Sequence, residues 1–180
     1  MLFWKLPDNK YLAFIPKTGS TAWSQAILEQ FYPDLKPKQL GATTPSGEIA
    51  SCQYIIPFVK KVPAEGEVYG IFRDPIERFK SGSITISNNI NKNIDSLKNS
   101  KVNIHIKSMH DMFGEDINKI QWFKYETDLP KLYKAISLNK MPRQENTTNV
   151  SLKKKIKFNA KQLEKLNLYY KADMEFYNKL

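Results

Sequence analysis

Two short segments constrain this chain more than any other feature. Pro16-Lys17-Thr18-Gly19-Ser20-Thr21 follows the apolar run Tyr11–Ile15 and precedes Ala22, Trp23, Ala26, Ile27 and Phe31, which recur at helical spacing. Arg73-Asp74-Pro75-Ile76-Glu77-Arg78-Phe79-Lys80-Ser81 follows the strand-like run Val68–Phe72, and Pro75 suits the first turn of a helix, where its missing N–H is not needed. Each segment is a strand end running into a helix start. An α/β fold binds anions at such junctions, because unpaired backbone N–H groups and the helix dipole meet there. The ordered pair points to a ligand with phosphate-like groups at both ends.

The rest of the chain fits that frame. The pattern predicts a strand over Tyr11–Ile15 and a helix over Ser20–Phe31 that is ended by Pro33 and Pro37. A loop follows over Lys36–Gly47, then a strand over Cys52–Ile56, a strand over Val68–Phe72 and a helix from Pro75. Ser87–Lys107 is polar and poorly periodic and predicts no definite element. Ile120–Tyr125 reads as a strand, Thr127–Ile136 as a helix, Lys140–Phe158 as a basic loop and Ala160–Leu180 as one amphipathic helix. Strands alternating with helices predict a single domain over residues 1–180, of class α/β, with a mostly parallel central sheet flanked by helices.

Composition narrows the partners. The chain has 180 residues and is 41% hydrophobic and 12% aromatic, enough for one real core. A formal charge of +10 favours anionic partners without choosing among them. Arg73, Arg78 and Arg143 are its only arginines, so the close pair in the second segment stands out. Cys52 is the single cysteine, which excludes an internal disulfide; its apolar surroundings read as core. No apolar run approaches the roughly 20 residues a bilayer needs. Met1–Asp8 has neither a basic n-region nor a long apolar one, so the chain reads as cytoplasmic.

In the first segment Gly19 lets the backbone approach a ligand, Ser20 and Thr21 supply hydroxyls, and Lys17 supplies a cation for a leaving-group oxygen. The spacing is not G-x-x-x-x-G-K-[ST], which disfavours an ordinary P-loop kinase or NTPase. Metal-ligand spacing among His, Cys and Asp is absent from the sequence.

Pro16–Thr21 resembles the 5′-phosphosulfate-binding loop of sulfotransferases that use 3′-phosphoadenosine 5′-phosphosulfate. Arg73-Asp74-Pro75-x-x-Arg78-x-x-Ser81 resembles their 3′-phosphate motif. More weakly, Phe123–Leu129, Asn146-Thr147-Thr148 and Leu168–Tyr177 are similar to later segments of carbohydrate-type members. The resemblance implies a P-loop-NTPase-like sulfotransferase fold. It implies donor contacts from Lys17, Thr18, Gly19, Ser20, Thr21, Arg73 and Ser81, with adenosine 3′,5′-bisphosphate as product and no metal. It also implies that Lys17 stabilises the breaking bridge, and that the acceptor is a hydroxyl, with the late segments tilting toward a carbohydrate. The lack of a membrane anchor suggests a bacterial or viral version.

A general base for the acceptor is less marked. Many relatives carry a Lys-His pair where this chain has Gln39-Leu40-Gly41, and Glu29 lies far along its helix. Glu48 and His105 are the equal first candidates, with His110 behind. A basic nucleic-acid-binding module is the competing reading of the charge, although no known binding motif is present. An inactive nucleotide-binding relative is another.

Bland roles stand beside these. Arg73 could pair with Asp74 or Glu77, a structural ion pair is favoured for Arg78, and Trp23 reads as core. Lys153, Lys154, Lys155 and Lys157 read as a solvated cluster that, with Arg143, could also reach the 3′-phosphate or an anionic acceptor.

Overall fold

The computed structural model describes residues 1–35, 56–87, 89–140 and 150–180. Its chain opens with a hairpin. Strand β1 (Leu2–Leu6) pairs antiparallel with β2 (Lys10–Phe14). The connecting turn places Asp8 at φ 58° and Asn9 at φ 54°, with Lys10 N donating to Pro7 O at 3.2 Å. Asp and Asn tolerate this left-handed backbone better than most side chains, which makes Pro7-Asp8-Asn9 an efficient reversal.

Three more strands complete the sheet: β3 (Phe58–Val59), β4 (Glu67–Phe72) and β5 (Gln121–Lys124). Their order is β3-β1-β2-β4-β5. Strands β2, β4 and β5 run parallel, whereas β1 is antiparallel to both β2 and β3. The sheet is therefore mixed, not mostly parallel as expected. The cause is β1, which the sequence pattern does not mark; the short hairpin turn sets it antiparallel between β3 and β2.

Side-chain alternation sends apolar groups to both faces. Trp4, Leu6, Leu12, Tyr69, Ile71 and Phe123 face helix α1 (Ser20–Phe31) and helix α5 (Leu129–Ala135). Trp23 lies in this layer at 2% exposure, as expected. On the other face Phe3, Ala13, Val68, Phe72 and Trp122 meet α4 (Met109–Phe113), the 3₁₀ turn Gly114–Lys119 and α8 (Lys171–Lys179). At Gly70 a Cβ would lie 2.4 Å from the Trp122 ring, so the absence of a side chain there lets the indole cross β4.

Helix α2 (Pro75–Ile86) starts at the expected Pro75. The polar stretch after it contains α3 (Ile90–Ser96), opened by Asn89 Oδ1 accepting from Lys92 N at 3.0 Å. Within the expected basic loop, Val150–Lys155 forms a helix, α6. The expected C-terminal helix is two: α7 (Ala160–Tyr169), opened by an Asn159–Gln162 capping box, and α8. They break at Tyr170, which leaves helical geometry at φ −94°, ψ 15° and is fully buried. Packing of that ring against Phe79 outweighs a straight helix. The strand expected over Cys52–Ile56 lies outside the described residues except for Ile56, which is buried in the first core layer. Among the described residues no helix is long and apolar enough to cross a membrane.

Candidate functional site

Strands β2 and β4 are parallel neighbours, so the loops that leave their C-terminal ends lie side by side. These loops are the two segments singled out in the sequence. They are bonded directly: Arg73 Nη1 donates to Lys17 O at 3.0 Å. The end of β5, parallel to β4, joins them. The Arg73 guanidinium carbon sits 4.7 Å from the centroid of the Tyr125 ring, and Nε lies 3.9 Å from Glu126 Oε1. That separation is beyond hydrogen-bond length, and the buried Arg73 Nε has no hydrogen-bond partner among the described residues. Glu126 also accepts from Asp74 N at 3.3 Å and from Tyr177 OH at 2.9 Å. Arg73 thus pairs with neither Asp74 nor Glu77 among the described residues; Glu77 is held by Lys80 at 2.6 Å.

The first loop is locally strained. Lys17 has φ 70° and Gly19 φ 80°. Gly19 permits that conformation, whereas Lys17 bears a cost of about 1–2 kcal/mol for a side chain in the left-handed region. A Cβ on Gly19 would meet Trp23 and Tyr125 only at ordinary contact distance, so here the glycine serves the backbone angle and not a close approach by protein atoms. Thr18 turns its hydroxyl inward to Ile15 O at 2.9 Å, leaving its backbone as the part available to a ligand. Ser20 and Thr21 open α1. That helix has no side-chain cap and no acidic residue in its first turn. By contrast α2 is capped by Asp74 Oδ1, which accepts from Glu77 N at 2.8 Å. The free N–H groups and positive dipole end therefore belong to the Lys17 loop.

Lys17 reaches across to the second segment. Its Nζ donates to Thr85 Oγ1 at 2.8 Å, and Thr85 Oγ1 donates to Ser81 O at 3.2 Å. Ser81 itself is 5% exposed on α2. Burial, then the nearby Lys153 and Arg73 cations, hold the Lys17 ammonium below its ordinary pKa. Lys153, on α6, is lowered likewise by burial and by Arg73, with Glu77 opposing. Three cations, Lys17, Lys153 and Arg73, thus act on one another here, an arrangement that an anion would relieve.

Arg78 is fully buried on α2 and makes no ion pair among the described residues, contrary to the role favoured from sequence. Its Nη2 donates to Lys107 O, while Nε and Nη1 have no hydrogen-bond partner. His105 lies in the loop between α3 and α4. Its Nδ1 donates to Asn103 Oδ1 at 2.9 Å, which leaves Nε2 as the unprotonated nitrogen of the neutral ring. Burial, then Lys17 and Arg78, hold its pKa below the ordinary value, so the ring is neutral at pH 7. His110 is engaged elsewhere: its Nδ1 pairs with the buried Asp173 at 2.7 Å. Glu48 and Arg143 lie outside the described residues.

Sequence reasoning missed Thr85, Asn103 and the particular place of Lys153. Thr85 was findable, one helical turn beyond Ser81 on the same face. Tyr125 and Glu126 belong to the weaker late-strand resemblance and gain a definite position here. Among the described residues no cluster of His, Cys, Asp or Glu could hold a metal ion. Searches against protein-family models, curated proteins and solved structures found no match to the chain.

Proposed function

We propose that this protein is a sulfotransferase that uses 3′-phosphoadenosine 5′-phosphosulfate and an acceptor hydroxyl. One observation carries the reading: the Lys17 loop and the Arg73 loop leave adjacent parallel strands and are tied by the Arg73 Nη1–Lys17 O bond. A nucleotide with phosphate groups at both ends would span them. The residues present suit that group, because the first turn of α1 has no side-chain cap and Arg73 Nε is buried without a hydrogen-bond partner among the described residues.

Such a donor supplies a sulfuryl group, whose bond to the bridging phosphate oxygen breaks as the acceptor oxygen bonds to sulfur. Backbone N–H groups of Thr18–Thr21 would hold the 5′-phosphate, and Arg73 with Ser81 the 3′-phosphate. The Lys17 ammonium would meet the charge that develops on the bridging oxygen. His105 Nε2 would take the acceptor proton; a neutral imidazole beside Lys17 suits that task better than His110, whose Nδ1 is committed to Asp173. Lys153 adds positive potential suited to an anionic acceptor or donor group. The class of fold proposed with this reading is that of the nucleotide-dependent sulfotransferases, here with an antiparallel β1 between β3 and β2.

The test is thermal stabilisation followed by transfer. Adenosine 3′,5′-bisphosphate is expected to raise Tm well above the effect of AMP at equal concentration, by mass action on the folded state. Sulfate transfer from the donor to a panel of glycan and other hydroxyl acceptors is then expected, and Lys17→Ala is expected to abolish it. Equal shifts with both nucleotides would defeat the reading. Selective binding without transfer to any acceptor would leave an inactive relative, and oligonucleotide binding with a steep salt slope and no nucleotide preference would favour a nucleic-acid module.

A further inference from the structure

Three successive carbonyls of the His105 segment are fixed in different ways, one by close backbone packing and two by side-chain donors. A Cβ at Gly82 would lie 2.2 Å from His105 O, so the backbone of α2 abuts that carbonyl and admits no side chain there. Tyr170 OH donates to Ile106 O, and Arg78 Nη2 donates to Lys107 O. Tyr170 and Arg78 are both 0% exposed, and Ile106 is 1% exposed. On the other side of the residue, Asn103 Oδ1 accepts from both the backbone N of His105, at 3.0 Å, and its ring Nδ1.

From this clamp we infer that Gly82, Arg78 and Tyr170 are positioning residues that hold the His105 imidazole at the Lys17 loop. The inference rests on the sulfotransferase reading for its catalytic consequence. Arg78 and Gly82 lie on α2, the same helix that presents Ser81 and Thr85 to the nucleotide site. Helix α2 therefore ties the donor-binding face to the base-bearing loop, and the Tyr170 break between α7 and α8 supplies the third hold. An interior arginine with two of its three nitrogens unpaired is an expensive way to secure one carbonyl. Its charge beside His105 gives it a second task, because Arg78 and Lys17 both disfavour the imidazolium and keep Nε2 available. Tyr170, at Ile106 O, and Asn103, at His105 itself, add neutral polar contacts to this segment.

The chain has two histidines, so ring resonances are readily assigned with His105→Gln. The experiment follows both rings by NMR across pH in the full-length protein and in Tyr170→Phe and Gly82→Ala. In the wild type His105 is expected to titrate below pH 6.5. In both variants its pKa is expected to rise toward that ordinary value. Adenosine 3′,5′-bisphosphate should stabilise the variants as it does the wild type, and kcat for sulfate transfer should fall roughly tenfold to a hundredfold with the donor KM unchanged. Identical His105 titrations in the wild type and both variants would overturn the inference. So would rapid, unprotected exchange in the wild type of the Ile106 and Lys107 amides, which donate to Asn103 O at 2.9 Å within the clamped segment, because a segment held at its carbonyls cannot open freely; this result needs no variant to fold. Absence of transfer in the wild type would refute the functional reading alone, and the titration would still decide whether the clamp holds His105.

Discussion

Replacing Arg73 with alanine separates its two tasks. In the free protein Arg73 makes one charge-assisted bond, Nη1 to Lys17 O at 3.0 Å, and lies 4.7 Å from the Tyr125 ring. A hydrogen bond from a charged donor contributes about 1.5–3 kcal/mol, and the cation–π contact about 0.5–2 kcal/mol. Glu126 at 3.9 Å is part-exposed and adds little. The substitution is therefore expected to cost about 2–5 kcal/mol of stability. If the guanidinium also holds the 3′-phosphate, losing one charge-assisted contact weakens that nucleotide by a further ~1.5–3 kcal/mol, or roughly tenfold to a hundredfold in Kd. Calorimetric titration of the wild type and Arg73→Ala with both adenosine 3′,5′-bisphosphate and AMP forms a thermodynamic cycle. AMP affinity should change little, and the advantage of the bisphosphate over AMP should largely vanish. An equal loss for both nucleotides would mean that Arg73 acts only by shaping the Lys17 loop, and the assigned contact would be refuted.

Three further outcomes follow from the site. The folded His105 pKa is lowered, so between that value and 6.5 the unfolded chain binds more protons and stability falls as pH drops. His105→Gln should remove that loss, so its urea midpoint should gain on the wild type between about pH 7.5 and 5; parallel curves would contradict this. Lys17→Met removes a cation disfavoured by burial, Lys153 and Arg73, so Tm should hold or rise while transfer disappears; a large fall in Tm would show that Lys17 is kept for structure. Asp173 accepts from Met109 N at 2.7 Å, His110 N at 3.0 Å and His110 Nδ1 at 2.7 Å. Asp173→Asn should cost about 2–3 kcal/mol and lower Tm by roughly 4–10 °C, measured by thermal unfolding, and a change below about a degree would refute the capping role.

The parts of the fold legible in the sequence are those set by local signals. The helix Ser20–Phe31 has the bounds expected from its apolar spacing, and Pro75 opens α2 where the sequence places it. The ends of β2, β4 and β5 fall within a residue of the expected runs, because buried parallel strands read as continuous apolar segments. What escaped depends on distant partners. Leu2–Leu6 becomes a strand by pairing with β2 and β3, and nothing local in Met1–Asp8 marks it as one. Tyr170 breaks the C-terminal helix to bury its ring and reach Ile106 O, which periodicity alone would continue through. The same division holds at the site. Lys17, Arg73 and Ser81 were visible because motif spacing carries them. The bond between the two loops and the Thr85 bridge were not, since each joins residues whose proximity only the fold creates; the Asn103 hold on His105 is local, but it depends on a turn that the polar stretch does not mark.

The most direct test of the central claim is a crystal structure with adenosine 3′,5′-bisphosphate bound. The account predicts the 5′-phosphate on the backbone N–H groups of the Lys17 loop, the 3′-phosphate against Arg73 and Ser81, and His105 Nε2 facing the open end beside Lys17. A nucleotide bound in the reverse sense, or anywhere else on the protein, would contradict it.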